Sequence, residues 1–169
     1  FAFFEKQKKR NFILSKEITS SKQAPTTEDR RYYSGAWFEE YTYLRIKEEL
    51  ALRDEDISMS LKIYRNDFSH NDNEIDVAFM FENKLYIIEC KVSMNGYGKE
   101  PQHHIENYLY KLAAVSKDFG LIVRPYIFTL HKMDKLSEHS RENIKKRMRI
   151  LGICNIVDGI QLSKQNISF

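Results

Sequence analysis

Two acidic residues and a lysine near the middle of the chain have the types and spacing for metal-assisted chemistry: Asp76, Glu89 and Lys91. Glu89 and Lys91 are two residues apart, so in a strand their side chains leave the same face. Two carboxylates about 5 Å apart on neighbouring strands repel, and burying them unpaired costs on the order of several kcal/mol or forces one to be protonated. A divalent cation such as Mg²⁺ or Mn²⁺ removes this cost, and the lysine can then orient an attacking water. The pattern is therefore that of metal-assisted phosphodiester hydrolysis.

The elements that must position these groups are two strands joined by a tight turn. Residues 73–81 alternate between apolar and polar side chains, which is typical of a strand. Residues 85–90 form an apolar run that is typical of a buried central strand. If the turn consists of Glu82 and Asn83, the two carboxylates lie directly across from each other. A three-residue turn would separate them, so the prediction depends on turn length.

These residues resemble the PD-(D/E)XK, or restriction-endonuclease-like, nuclease superfamily. Asp76 corresponds to the first acidic position of that pattern, and Glu89-Cys90-Lys91 to its (D/E)-x-K. The resemblance implies that Asp76 and Glu89 bind the metal, Mg²⁺ or Mn²⁺, with the Cys90 carbonyl as a third ligand. Lys91 would position the attacking water and stabilise the negative charge that develops on the phosphate.

A narrower resemblance rests on four segments that follow one another along the chain. They are Gly-Ala-Trp-Phe-Glu-Glu-Tyr at 35–41, Asn-Glu-Ile-Asp at 73–76, Ile-Glu-Cys-Lys at 88–91 and Leu-Tyr-Lys-Leu at 109–112. Together they are similar to the nuclease domain of CARF-associated CRISPR ancillary nucleases of the Card/Can type. The resemblance implies cleavage of single-stranded DNA, RNA or nicked duplex, carried out by a homodimer and activated by cyclic oligoadenylate. A CARF sensor domain is not present in these residues, so it would lie upstream.

Glu39 is a further acidic candidate, on a predicted helix. Ser34 is a suitable N-cap for a helix that runs to about Arg53. The apolar stripe of this helix consists of Ala36, Tyr43, Ile46 and Leu50. Glu39 falls within the stripe and so faces the packed side, where a metal site would give it a partner. The resemblance also points to Glu39, as a group that binds or orients the metal through water; a rim glutamate paired with a lysine or arginine is the alternative.

The remaining patterns complete an α/β fold. The other predicted elements are a strand over 57–63, a helix over 101–118, a strand over 121–130, a helix over 135–150 and a strand over 153–157. Pro125, inside the fourth strand, indicates an edge position or a bulge. The order predicts a restriction-endonuclease-like core (αβββαβ), in which a mixed β-sheet is flanked by helices on both faces.

Basic residues on two of these helices are candidates for nucleic-acid binding. Lys111 flanks the apolar stripe of the helix over 101–118 and could reach a phosphate from the active-site side; a plain surface lysine is the alternative. Lys145, Lys146 and Arg147 lie near the end of the next helix. There they either track a phosphate backbone or complement the helix dipole. The net charge of +3 is too small to identify a nucleic-acid partner by itself.

The 169 residues are predicted to form an N-terminal arm or linker over 1–33 and one nuclease domain over 34–169. The chain begins at Phe1 without a methionine, which suggests a fragment of a longer protein with an upstream regulatory domain. Cys90 and Cys154 lie in apolar runs, which is typical of buried free thiols in a reducing cytoplasm. No apolar run approaches the ~20 residues that a membrane helix needs.

Three alternative functions remain open. The chain could be an inactive nucleic-acid-binding module of the same fold, or a repair or restriction endonuclease. It could also be a structural domain in which Asp76 and Lys91 form an internal ion pair. The complete set of two acids and a lysine argues against the inactive module, because an inactive site is free to lose its charged residues.

Overall fold

The computed structural model describes residues 26–64, 73–94, 101–120, 122–164, 167 and 169. The strands are β1 (Ile57–Ile63), β2 (Asn73–Phe81), β3 (Lys84–Lys91), β4 (Val123–Thr129) and β5 (Asn155–Val157). The helices are α1 (Thr27–Arg31), α2 (Trp37–Glu49), α3 (Pro101–Lys117), α4 (Glu138–Leu151) and α5 (Gly159–Leu162), with a π-helical turn over Tyr32–Ala36. Short 3₁₀ turns cover Asp54–Asp56 and Met133–Lys135. Within these described ranges, no helix combines the length and apolar character that a membrane span requires.

The strands form one mixed sheet in the order β1-β2-β3-β4-β5. β1, β2 and β3 pair in antiparallel fashion, and β3, β4 and β5 pair in parallel. Parallel neighbours need a crossover connection, which α3 supplies between β3 and β4. The predicted element order and the α/β class are confirmed.

Each face of the sheet carries its own apolar core. Phe38, Tyr41 and Ile46 of α2 belong to one core, which also contains Val77, Phe79, Ile88 and Phe128 from the sheet. Ile105, Leu109, Leu112 and Val115 of α3 belong to the other, together with Ile87, Ile127 and Ile144. The inward stripe expected for α3 is therefore confirmed. The stripe predicted for α2 is shifted around the helix, because Phe38, Tyr41 and Thr42 are buried whereas Tyr43 and Leu50 are only partly buried.

The N-terminal helical segment begins earlier than predicted. The Thr26 hydroxyl accepts from the Asp29 N–H, and the Asp29 carboxylate accepts from the Thr26 N–H. This capping box satisfies two free donors and starts α1 at Thr27, so the prediction of Ser34 as the N-cap is wrong. The Ser34 hydroxyl instead donates to the Arg31 carbonyl at 2.9 Å. The division of the chain between residues 33 and 34 stays a prediction.

Pro125 does not mark an edge strand or a bulge, so both expectations for it are wrong. β4 lies between β3 and β5, and its register with β3 runs without interruption from Val123 to Thr129. β5 pairs only with Tyr126 to Phe128, so the missing N–H of Pro125 falls just outside that ladder. The Pro125 carbonyl accepts from the Cys154 N–H at 2.9 Å. Cys154 is exposed there, so the buried thiol is confirmed for Cys90 alone.

The chain after β5 is held against the loop that follows β4. Asp158 caps α5: its Oδ1 accepts from the N–H groups of Ile160 and Gln161. Its Oδ2 accepts from the Met133 N–H at 3.0 Å. A Cβ atom on Gly159 would lie 2.6 Å from the Leu130 carbonyl oxygen, so this close approach requires glycine.

Candidate active site

The hairpin of β2 and β3 has the predicted turn and register. Glu82 and Asn83 both have positive φ, at 48° and 62°, which suits a two-residue hairpin turn whose twist matches the strands. The pairing runs from Phe81 opposite Lys84 to Val77 opposite Ile88. Continued by one position, this register places Asp76 opposite Glu89.

Beyond the Val77–Ile88 pair, a backbone N–H of β3 donates to the side chain of Asp76. The Cys90 N–H donates to Asp76 Oδ2 at 2.6 Å, and the bond is buried. Because the carboxylate accepts from the main chain of β3, its position is fixed by the hairpin itself. Asp76 is therefore held at the point where β2 and β3 cease to pair.

Lys91 lies between the two acidic groups. Its Nζ is 2.7 Å from Glu89 Oε1 and 3.6 Å from Asp76 Oδ2. The same ammonium donates to the Cys90 carbonyl at 3.0 Å and stands over the Tyr108 ring, 5.2 Å from its centroid. The structure thus brings Asp76, Glu89 and Lys91 together, as the register predicted.

A second ammonium approaches Glu89 from α3. Lys111 Nζ lies 3.1 Å from each of the two Glu89 carboxylate oxygens. The Glu89 side chain is only 4% exposed, whereas that of Lys111 is 42% exposed. Lys111 therefore reaches inward from the surface, and its partner here is a carboxylate of the site.

Burial and charge act against each other in this cluster. Burial raises the pKa of Asp76 above its usual value, and the Glu89 charge raises it further; Lys91, the Cys90 N–H and Lys111 only partly offset both effects. Burial alone would lower the pKa of Lys91, but the charges of Glu89 and Asp76 outweigh it and leave that pKa raised. Because the two carboxylates repel each other, a nearby positive charge stabilises their ionised forms.

Glu39 and the turn before it line a cavity next to the hairpin. The cavity measures about 370 Å³, and its lining includes Arg31, Gly35, Glu39, Cys90 and Lys91. Burial, together with the charges of Asp76 and Glu74, raises the pKa of Glu39. Glu39 is half-buried on this cavity, so it faces the same space as the lysine.

The basic residues of α4 make other contacts. Lys145 pairs with Glu142 one turn earlier on the exposed surface. Lys146 is exposed. Arg147 Nε lies 3.0 Å from Glu106 Oε1 on α3, and the guanidinium also contacts the Tyr110 ring. Arg147 therefore joins α4 to α3, and the contacts found for these three residues do not include the site on the hairpin.

The donor set of the site suits a hard divalent cation. Asp76 and Glu89 contribute carboxylate oxygens, and the carbonyl of Cys90 lies beside them at the Lys91 ammonium. Mg²⁺ and Mn²⁺ prefer such oxygen ligands and keep several waters of their own. Over the described part of the chain, no group of three or more His, Cys, Asp or Glu side chains is arranged to hold a metal ion. The fit therefore depends on two carboxylates with a backbone oxygen, and the Cys90 thiol faces elsewhere in the apolar core.

Two features of the site were not assigned from the sequence. Tyr108 was not singled out, and Lys111 was expected to meet a phosphate instead of Glu89. The two residues are three apart on α3, so they share one helix face. That spacing is the sequence signal, but it becomes informative only once α3 is known to cross β3 at the carboxylates.

The solved structures similar to this chain include two from longer proteins. Protein VC1899 from Vibrio cholerae is 26% identical with a TM-score of 0.60, and the match covers 85% of this chain and 35% of that one. Can2 from Sulfobacillus thermosulfidooxidans, in complex with cyclic tetra-adenylate (cA4), is 24% identical with a TM-score of 0.60, covering 85% and 38%. This chain thus spans little more than a third of the length of either protein. A search of curated proteins found no match.

A family comparison covers most of the chain. Residues 26–159 match the Card1-like endonuclease domain. This range contains the hairpin, α3 and α2, the helix that carries Glu39. The resemblance to Card/Can-type nucleases, drawn from four short segments, is thereby confirmed. The chain belongs to the Card1-like endonuclease domain family.

Proposed function

We propose that this endonuclease domain depends on a divalent metal and hydrolyses phosphodiester bonds of DNA or RNA. The observation that carries the proposal is the meeting of Asp76, Glu89 and Lys91 where β2 and β3 cease to pair. Membership of an endonuclease family supports the reaction class. The cation requirement is inferred from the two buried carboxylates.

The residues of the chain have separate tasks in this proposal. Asp76, Glu89 and the Cys90 carbonyl would hold the cation. When bound, such a cation supplies Lewis-acid stabilisation of the phosphate and a more acidic water. Lys91 orients the attacking water and offsets negative charge on the phosphate, and its contact with Tyr108 restrains the ammonium. Glu39 orients water from the cavity side, where its raised pKa lets it hold a proton more readily than an exposed glutamate.

The surroundings of the site suit a negatively charged strand. Arg31 lines the cavity and pairs with Glu74 at 3.4 Å, while its side chain remains 66% exposed. Apart from its chain neighbours and the adjacent helix backbone, no atom of the described residues would lie within 4 Å of a Cβ atom on Gly35, which is in the same lining. An open surface next to cationic side chains allows a phosphate backbone to approach closely. We therefore assign the strand path to the cavity, and not to the basic end of α4.

Control of the reaction is assigned to residues outside this chain. Can2, to which the chain is similar in fold, was solved in complex with cyclic tetra-adenylate. Since the chain spans 38% of that protein, the remainder has room for a regulatory domain. We propose that the full protein is a homodimer, switched on by cyclic oligoadenylate bound to an upstream CARF-type domain.

The test is cleavage of labelled single- and double-stranded DNA and RNA with Mg²⁺, with Mn²⁺ or with EDTA. The full-length protein with activator and the isolated domain are both assayed, beside Lys91→Ala and a surface control, Lys146→Ala. The proposal expects cation-dependent cleavage that is lost in Lys91→Ala and kept in Lys146→Ala. Equal degradation by the parent and Lys91→Ala would identify a contaminating nuclease. Binding without cleavage under every condition would favour an inactive nucleic-acid-binding module.

A further inference from the structure

Glu89 is contacted by two ammonium groups at once. Lys91 Nζ is 2.7 Å from Oε1, and Lys111 Nζ is 3.1 Å from both Oε1 and Oε2. Both oxygens of this carboxylate are therefore engaged by Lys111. A cation that coordinates Glu89 must share those oxygens with Lys111 or displace it.

The charges of the groups around Glu89 also favour displacement of an ammonium when a cation binds. Asp76 and Glu89 carry two negative charges, and Lys91 and Lys111 carry two positive ones, so the four groups together are neutral. A divalent cation would give these four groups a surplus of two positive charges in a largely buried place, which an ionised Glu39 on the cavity side would reduce to one. The surplus is relieved if one ammonium moves away or if a phosphate arrives.

Lys111 is the ammonium with more freedom to move. Its side chain is 42% exposed, compared with 25% for Lys91. Lys91 is further restrained by its hydrogen bond to the Cys90 carbonyl and by the Tyr108 ring. Lys111 extends from the exposed side of α3, where water can solvate its ammonium after release.

We propose that Lys111 is a positioning residue that holds Glu89 while no cation is bound, and that its displacement sets the divalent-cation concentration at which the site fills. The inference rests on the proposed function, since it takes Asp76 and Glu89 as the cation ligands. Displacement leaves the ammonium able to pair with a phosphate oxygen of the bound strand. Nucleic acid therefore strengthens cation binding, and the site fills most readily when substrate is present.

The test is calorimetric titration with Mn²⁺, without nucleic acid, of the parent and Lys111→Met. Methionine keeps an unbranched stem and removes the charge. The dissociation constant for Mn²⁺ is expected to fall about tenfold in Lys111→Met, which corresponds to ~1.4 kcal/mol. Lys111→Arg, which keeps the charge, and Lys117→Met, a matched charge removal on the exposed last turn of the same helix, are expected to stay within about twofold of the parent.

Thermal unfolding provides a readout that does not depend on activity. Lys111→Met is expected to lower Tm in EDTA, because Glu89 loses a partner, and to recover the loss at saturating Mn²⁺. An equal loss of Tm with and without Mn²⁺, or an unchanged dissociation constant, would show a merely structural lysine and overturn the inference. Lys111→Gln carries the same expectations and keeps a polar group at this exposed position, in case the methionine variant does not fold.

Failure of this inference and failure of the proposed function give different results. If the parent and Lys111→Met bind Mn²⁺ equally, and Asp76→Asn abolishes binding in both, the cation site stands and the role of Lys111 is refuted. If neither protein binds Mn²⁺, with or without a non-cleavable oligonucleotide, both ideas fail together. Binding by Lys111→Met alone supports the inference most strongly.

Discussion

Replacing Asp76 with asparagine is predicted to make the protein more stable and inactive. The side chain keeps its shape and an oxygen that can accept from the Cys90 N–H, a bond of 2.6 Å in the parent. It loses a buried negative charge that burial and Glu89 both disfavour. Among the residues that the structure describes, the ion pair given up is the longer one of the site, at 3.6 Å to Lys91 Nζ.

The expected gain in unfolding free energy is about 1 kcal/mol at neutral pH without a cation, the scale of relieving one partly compensated buried charge. For a chain of this size that corresponds to a Tm increase of roughly 2–4 °C. Cleavage and Mn²⁺ binding are expected to disappear, because the variant removes one of two carboxylate ligands. Stability and activity therefore change in opposite directions, as at other sites under electrostatic strain.

The pH dependence of the stability gain in Asp76→Asn follows from the direction in which the pKa of Asp76 is shifted. The pKa of Asp76 in the folded protein lies above its unfolded value, so the folded protein binds more protons than the unfolded chain between the two values. The stabilising contribution of this group is therefore complete below the unfolded pKa and is lost as pH rises through the folded pKa. Asp76→Asn should lack this decline, so the Tm advantage should shrink on acidification.

The assay is thermal unfolding in EDTA across acidic to neutral pH, with cleavage and calorimetry on the same preparations. Asp134→Asn, at an exposed position, is the matched control and should resemble the parent in every measurement. A lower Tm than the parent at neutral pH, or retained cation-dependent cleavage, would refute the reasoning about this carboxylate.

Three further changes test other parts of the structure. Glu39→Gln should lower the cleavage rate about 10- to 100-fold, which is the scale of losing a group that orients a metal site. Its Tm should be unchanged or higher, because the raised pKa of Glu39 means that the fold disfavours the charge of this side chain. Gly159→Ala should lower Tm, because the new Cβ lies 2.6 Å from the Leu130 carbonyl oxygen, and overpacking of this kind costs about 1–3 kcal/mol. Arg147→Met should lower Tm by several degrees through loss of the α3–α4 ion pair, whereas Lys145→Met should change it little, because exposed pairs contribute about 0–1 kcal/mol.

Each of these changes has a result that would count against it. A stable Gly159→Ala protein would mean that α5 and the loop after β4 shift apart at little cost. If Arg147→Met and Lys145→Met both weakened nucleic-acid binding to the same extent and left Tm unchanged, the basic end of α4 would belong to the nucleic-acid binding surface. A Glu39→Gln enzyme with parental rates would place this glutamate outside the reaction.

The hairpin could be predicted in detail because its determinants are local. Alternation along 73–81, the apolar run over 85–90 and a two-residue turn together fix the register, and the observed pairs follow it. The inward stripe of α3 could be predicted for the same reason, since its apolar residues recur at helical spacing and all of them are buried. The helical segment before β1 was harder, because the capping box at Thr26 and Asp29 starts a separate short helix, α1, whereas α2 begins only at Trp37, after Ser34.

The sequence by itself determined which groups can do chemistry and that two carboxylates and a lysine meet, because residues paired across a short hairpin need no distant partner. Only the tertiary structure decided what surrounds them. The packing of α3 on the sheet places Lys111 on Glu89 and Tyr108 under Lys91. The pairing of β5 with β4 makes β4 an interior strand, and β5 is short enough to leave Pro125 outside the ladder. Those outcomes depend on packing between segments far apart in the chain, and such packing leaves no periodic signal in either segment alone.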